Sequence, residues 1–162
     1  MTKGINFRAA LLPALIALAA FLAFGLTLNM GFMWDDHRLI EQNPRLSLSA
    51  ANLTGAFKGD PSDQGLNYYR PLLTVSNMIE FALWGYRPLG YRLVNFIFLS
   101  GTAVLFFYLA IALGFGRGGA FWASVLLAAH PAVVEQMLIV AGRAELASSA
   151  CMLASLLLLR RS

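Results

Sequence analysis

Charge is what this sequence has least of. Asp, Glu, Lys and Arg make up 12% of its 162 residues against 59% hydrophobic, whereas soluble domains carry about 25% charged residues. A soluble globular class is thereby excluded. The scarcity is also local, with no charged residue between Arg8 and Asp35 and none between Arg92 and Arg117. A single cysteine, Cys151, excludes an internal disulfide framework and a cysteine-based metal cluster. Basic residues outnumber acidic ones, 12 to 8, but they stand singly between apolar segments. Without a basic patch, nucleic acid is not an expected partner.

What the chain does have is long apolar runs. They predict an all-α, polytopic membrane protein, one membrane domain over residues 1–162 with four transmembrane helices at about 9–30, 93–113, 119–134 and 143–160. The first run exceeds the roughly 7–15 apolar residues of a cleavable signal peptide, so it is read as an anchor. The last two runs are short, which predicts a hairpin whose polar tip, Gly142-Arg143-Ala144-Glu145, sinks into the bilayer edge. Pro131, after His130, is expected to bend or interrupt the third helix.

Between the first two spans lies a polar loop, about residues 34–92. Its turn formers are Asn43-Pro44, Gly55, Gly59-Asp60-Pro61-Ser62 and Gly65, and a helical turn is expected to begin near Ser49. Leu72, Val75, Ile79, Ala82 and Leu83 recur at helical spacing with Thr74, Asn77 and Glu80 between them. That pattern predicts an amphipathic helix over Pro71–Trp84, lying at the interface with Tyr68, Tyr69, Trp84 and Tyr86 at headgroup level. With four crossings the two termini share a side with Arg117, and that side carries Lys3, Arg8, Arg117, Arg160 and Arg161 and no acid. The positive-inside rule makes the termini cytoplasmic and the loop extracytoplasmic.

Chemistry concentrates on that outer face. Trp34-Asp35-Asp36-His37 follows the first span directly. Side chains of consecutive helical residues diverge by about 100°, so Asp35 and Asp36 cannot address one atom: one can face a cavity while the other binds backbone or an arginine. The plain alternative is that the pair ends the helix at the interface. His130 and Glu135, at the end of a short apolar run, need a partner or a water-filled cavity; the alternative is an interfacial helix end. Arg143 and Glu145 admit the same two readings. Three successive residues such as Asp35, Asp36 and His37 do not converge on one ion without outside ligands, so no metal site and no cofactor is assigned, a divalent cation being the only candidate. The run Gly114-Phe115-Gly116-Arg117-Gly118-Gly119 is a turn and not a phosphate loop, because no Lys-Ser or Lys-Thr follows.

Taken in order, Trp34-Asp35-Asp36-His37, Asn43-Pro44, Tyr69-Arg70-Pro71-Leu72, Gly90-Tyr91-Arg92-Leu93-Val94-Asn95, His130-Pro131, Glu135 and Gly142-Arg143-Ala144-Glu145-Leu146 resemble the N-terminal part of the C-type membrane glycosyltransferases. Among these the protein O-mannosyltransferase branch, with its tetratricopeptide-carrying transmembrane members, is most similar. The resemblance implies sugar transfer from a lipid-phosphate donor on the outer face. It implies Asp35 as the base for an acceptor hydroxyl and Asp36 as its support. Arg70 and Arg143 become phosphate-holding candidates, since guanidinium meets phosphate bidentately, and His37, His130, Glu135 and Glu145 complete the substrate-binding set. The implied partners are membrane lipid, a polyprenyl-phosphate-linked sugar and a further membrane protein supplying helices that the family's bundle needs. Ala132-Val133-Val134 stands where close relatives tend to have a second histidine, and tetratricopeptide repeats are absent. The reading from a different class is a non-catalytic structural subunit of a larger membrane complex.

Overall fold

The computed structural model describes residues 7–58 and 69–161. Lys3, Gly59-Asp60-Pro61-Ser62, Gly65 and Tyr68, named above, lie outside these. The described residues form α-helices α1 (Phe7–Phe24), α2 (Ala50–Ala56), α3 (Pro71–Trp84), α4 (Pro88–Ala112), α5 (Arg117–Ala128), α6 (Val134–Leu138) and α7 (Arg143–Arg161), with no strand.

Local chemistry sets the boundaries. Ser49 caps α2 by accepting the Asn52 N–H at 3.2 Å. The fixed φ of Pro71 suits the first turn of α3, and Gly85 stops that helix at φ +58, a conformation open to glycine. The apolar run from Arg117 does not continue as one helix. It breaks after Ala128, where Pro131 lacks a backbone donor, and a 3-10 turn at Pro131–Val133 leads into α6. Three helical stretches are long and apolar enough to cross a membrane: Ala10–Asn29, Pro88–Ala112 and Val140–Arg160. The interrupted stretch Arg117–Leu138 adds a fourth only if its pieces count as one span.

The chain divides into two compact units. One comprises residues 1–26, 96–134 and 145–162. In it α1 packs on α5, and the ring of Phe21 meets that of Phe96 edge-on at 6.0 Å. The buried hydroxyls of Ser124 and Thr102 cost little, because helix carbonyls accept them: Ser124 donates to Ala120 at 2.8 Å, and Thr102 to Phe98 at 2.8 Å. Its exterior is apolar, with Leu22 76% and Leu26 88% exposed and Trp122 and Leu126 also outward. A surface of this kind is built for lipid.

The other unit comprises residues 27–95 and 135–144. Its apolar core joins Ile40, Leu46, Tyr91 and Val140, flanked by Phe32, Leu39 and Phe81. On α3 the buried face mixes polar and apolar residues: Thr74, Asn77 and Glu80 are buried together with Leu73 and Met78, whereas Leu72, Ile79 and Leu83 are exposed. Glu80 turns inward onto Arg143, and Thr74 donates to the Arg70 carbonyl at the head of its own helix at 3.2 Å.

Candidate functional site

The stretch that follows the first span folds back on itself. Asp36 N–H donates to the Met33 carbonyl at 2.9 Å, and Met33 N–H donates to Asp36 Oδ2 at 3.2 Å. This reciprocal clamp leaves Trp34 and Asp35 at the tip of the turn, with Trp34 at φ +48. The two carboxylates therefore part. Asp36 is fully buried, and its Oδ1 accepts the Val140 N–H at 2.7 Å. Burial pushes the Asp36 carboxyl above its ordinary value, against the hydrogen bonds from Val140 and Met33 and the charge of Arg92. Asp35 is exposed. His37, on the next turn, is exposed and pairs with Glu41 at 2.5 Å across one helical turn.

Beneath the turn lie two arginines, each buried to within 2% exposure. Arg92 stands near the start of α4 and donates to four backbone carbonyls: Met30 at 3.1 Å, Gly31, Met137 at 3.0 Å and Leu138 at 2.7 Å. Those carbonyls belong to chain ends that no helix satisfies, so Arg92 caps two broken segments at once. Asn95, one turn on, donates to the Gln136 and Ile139 carbonyls at 3.0 and 2.9 Å. Its side-chain oxygen accepts from Arg143 Nε at 3.0 Å. Arg143 also donates to Ser76 Oγ at 2.8 Å, to the Tyr91 carbonyl at 3.1 Å and to Glu80 Oε1, with which it forms a buried ion pair. Glu80 has its carboxyl pushed upward by burial, opposed first by Arg143. Close packing completes the joint: a Cβ at Gly142 would lie 2.7 Å from the Gln136 carbonyl oxygen.

The residues singled out from sequence thus separate into three kinds. Asp36 and Arg143 are buried and committed to protein partners. Asp35, His37 and Glu135 are exposed in the same unit, and Arg70 is exposed at the head of α3. His130 and Glu145 belong to the other unit and are also exposed. His130 caps the 3-10 turn by accepting the Ala132 N–H on Nδ1 at 3.1 Å. Among the described residues no group of three His, Cys, Asp or Glu is arranged to hold a metal ion.

By sequence Glu80 falls on the outer face and Arg92 and Asn95 in the opening of the second span, without a role for any of them, although a signal is present. Arg92 and Asn95 are three apart in an apolar helix, and Thr74, Asn77 and Glu80 repeat at the same spacing on α3. Polar stripes of that kind inside apolar segments face protein, not lipid.

Three helical stretches apolar and long enough to cross a membrane define an integral, α-helical membrane protein. Its particular kinship is to the protein O-mannosyl-transferases, to a segment of which the chain is related in sequence. It is 37% identical over 147 residues to protein O-mannosyl-transferase Tmtc1 of Drosophila melanogaster, covering 88% of this chain and 17% of that protein. To human protein O-mannosyl-transferase TMTC3 it is 33% identical over 84% of this chain and 15% of the relative, and to human TMTC2 33% over 92% and 18%. The chain therefore spans less than a fifth of these curated relatives. No family model matches it, and no solved structure does.

Proposed function

We propose that this chain is a module of a lipid-phosphate-dependent glycosyltransferase of the C type, acting on the extracytoplasmic face and completed by further helices. One observation carries the reading: of two adjacent carboxylates, Asp36 is locked inside by Val140 while Asp35 is held outward on a clamped turn. That is the arrangement a general base needs, a rigid support with one free carboxylate.

In the proposed reaction Asp35 takes the proton of an acceptor hydroxyl. The hydroxyl oxygen attacks the anomeric carbon of the donor sugar, and the bond from that carbon to the phosphate oxygen breaks. The lipid phosphate leaves with the electron pair, inverting the anomeric centre. A charged phosphate needs a cation, and Arg70, exposed at the head of α3, is the arginine proposed for it, while Arg143 directs its donors to Asn95, Ser76, Glu80 and Tyr91. His37 and Glu135 supply further contacts to donor or acceptor. In this reading the chain crosses the membrane four times with both termini cytoplasmic. The helix α3 lies at the outer interface, its exposed Leu72, Ile79 and Leu83 in the leaflet and its polar stripe on the protein.

The test is Asp35→Asn in the assembly that transfers sugar. Transfer should fall by at least two orders of magnitude, the usual share of a general base, with membrane insertion intact. Undiminished transfer would refute the assignment. A second reading, a non-catalytic subunit of a larger membrane complex, draws on the internal commitment of Arg92 and Arg143. Purification of the native protein with its companions separates the two: a sugar-transferring polytopic partner supports the first, a complex unrelated to sugars the second.

A further inference from the structure

Trp34 is the one non-glycine residue with positive φ among the described residues, at +48. It is also 65% exposed. Bulky side chains avoid this conformation, and where they occupy it the surrounding structure imposes it. The imposing structure is visible here. The Met33–Asp36 clamp sets the turn, and Asp36 is fixed in turn by Val140. Fold stability does not ask for tryptophan at this position, since asparagine or glycine would adopt the same backbone more readily. Nor does core packing, since most of the indole is outside. The clamp presents two side chains together, an exposed indole and the exposed carboxylate of Asp35 next to it.

We infer that Trp34 is a stacking platform for the pyranose ring of the donor sugar, holding it beside the Asp35 carboxylate. The inference rests on the glycosyltransferase reading of Asp35. An indole face carries partial negative charge and the C–H face of a pyranose is weakly positive, so the two attract without a hydrogen bond. Such a contact fixes the plane of the sugar while leaving its hydroxyls and its anomeric carbon free. The neighbouring carboxylate then reaches an acceptor hydroxyl that approaches the anomeric carbon from the side opposite the phosphate. Trp84, an exposed aromatic residue at the end of the interfacial helix α3, sits in ordinary backbone geometry, so a headgroup anchor does not account for the conformation of Trp34.

The experiment uses the full chain in detergent micelles with a short-chain polyprenyl-phosphate mannose as probe, measuring its dissociation constant for wild type, Trp34→Asn and Trp34→Phe. Trp34→Asn keeps the backbone conformation and removes the ring. It should weaken probe binding about tenfold, with Trp34→Phe closer to wild type and thermal stability of Trp34→Asn no lower than wild type. Unchanged binding by Trp34→Asn would overturn the platform. Equal binding of the probe and of polyprenyl phosphate without sugar by the wild-type chain would overturn the sugar-binding reading itself. Retained transfer in Asp35→Asn, measured in the complete assembly, would remove the base while leaving the platform standing.

Discussion

Replacing Asp36 with Asn and, separately, Asp35 with Asn makes one chemical change at two neighbouring positions that the structure treats in opposite ways. At Asp36 both carboxylate oxygens accept backbone N–H groups, from Val140 at 2.7 Å and Met33 at 3.2 Å. Asparagine keeps one acceptor and turns an NH2 toward the other N–H, so one buried donor loses its partner and the other loses a charged one. Hydrogen bonds to charged groups contribute about 1.5–3 kcal/mol, and a stranded buried donor costs about 1–3 kcal/mol. Arg92 also loses the nearby negative charge. Against this, the asparagine avoids the cost of burying a carboxylate, which the upward shift of Asp36 reflects. The net expectation is a loss of roughly 2–3 kcal/mol, or about 4–12 °C in Tm at roughly 2–4 °C per kcal/mol for a chain of this length. Asp35→Asn, on the exposed side of the turn, should change stability by about 0.5 kcal/mol or less. Thermal unfolding in one detergent, followed by far-UV circular dichroism, gives both values. Equal effects, or a larger one at Asp35, would refute the assignment of inward and outward roles.

Three other predictions rest on the buried network. The Glu80 carboxyl is raised above its ordinary 4.5 by burial, so between that value and the raised one the folded state binds more protons than the unfolded. The sign follows: stability relative to Glu80→Gln should grow as pH falls through this window and fade as pH rises through the raised value, as paired melts across pH 4–8 would record. Arg143→Met and Glu80→Met should each cost about 3–5 kcal/mol by leaving a buried charge alone, whereas the double variant should cost much less than their sum. Additivity in that double-mutant cycle would argue against a coupled pair. Gly142→Ala should cost about 1–3 kcal/mol, because its Cβ meets the Gln136 backbone rather than a movable side chain; a neutral effect on the unfolding midpoint would show that this joint is looser than described.

The helices were legible because hydropathy and turn chemistry agree. Pro71 and Gly85 mark the limits of α3 in the sequence as they do in the fold, and Arg143 begins α7. The division of labour between Asp35 and Asp36 was legible as a geometric necessity, but not which of them turns inward. That is decided by Val140, 104 residues along the chain from Asp36, and no local pattern specifies so remote a partner. Arg92 was hidden for a related reason. Placed at the start of an apolar run, it reads as a topological charge beside the membrane. Its actual role depends on carbonyls freed by two breaks, one after the first span and one at the end of α6. The inward turn of Thr74, Asn77 and Glu80 was masked by the usual expectation that polar stripes seek water, which fails where a buried partner such as Arg143 meets Glu80.

The breaks and the ions explain each other. A helix interrupted within or beside a membrane exposes carbonyls and N–H groups that lipid cannot satisfy. Here Arg92 takes the carbonyls of Met30, Gly31, Met137 and Leu138, Asn95 takes those of Gln136 and Ile139, and Asp36 takes the Val140 N–H. Arg143 then ties Asn95 to Glu80 on α3. A charged residue used in this way is unavailable to a substrate, since withdrawing it would strand several buried backbone groups. This separates structural from chemical charges without reference to any relative: what the backbone has consumed is scaffold. Applied to the first turn after the membrane, the criterion assigns Asp36 to the scaffold and leaves Asp35, with the indole of Trp34 beside it, as the part of the motif that can meet a substrate.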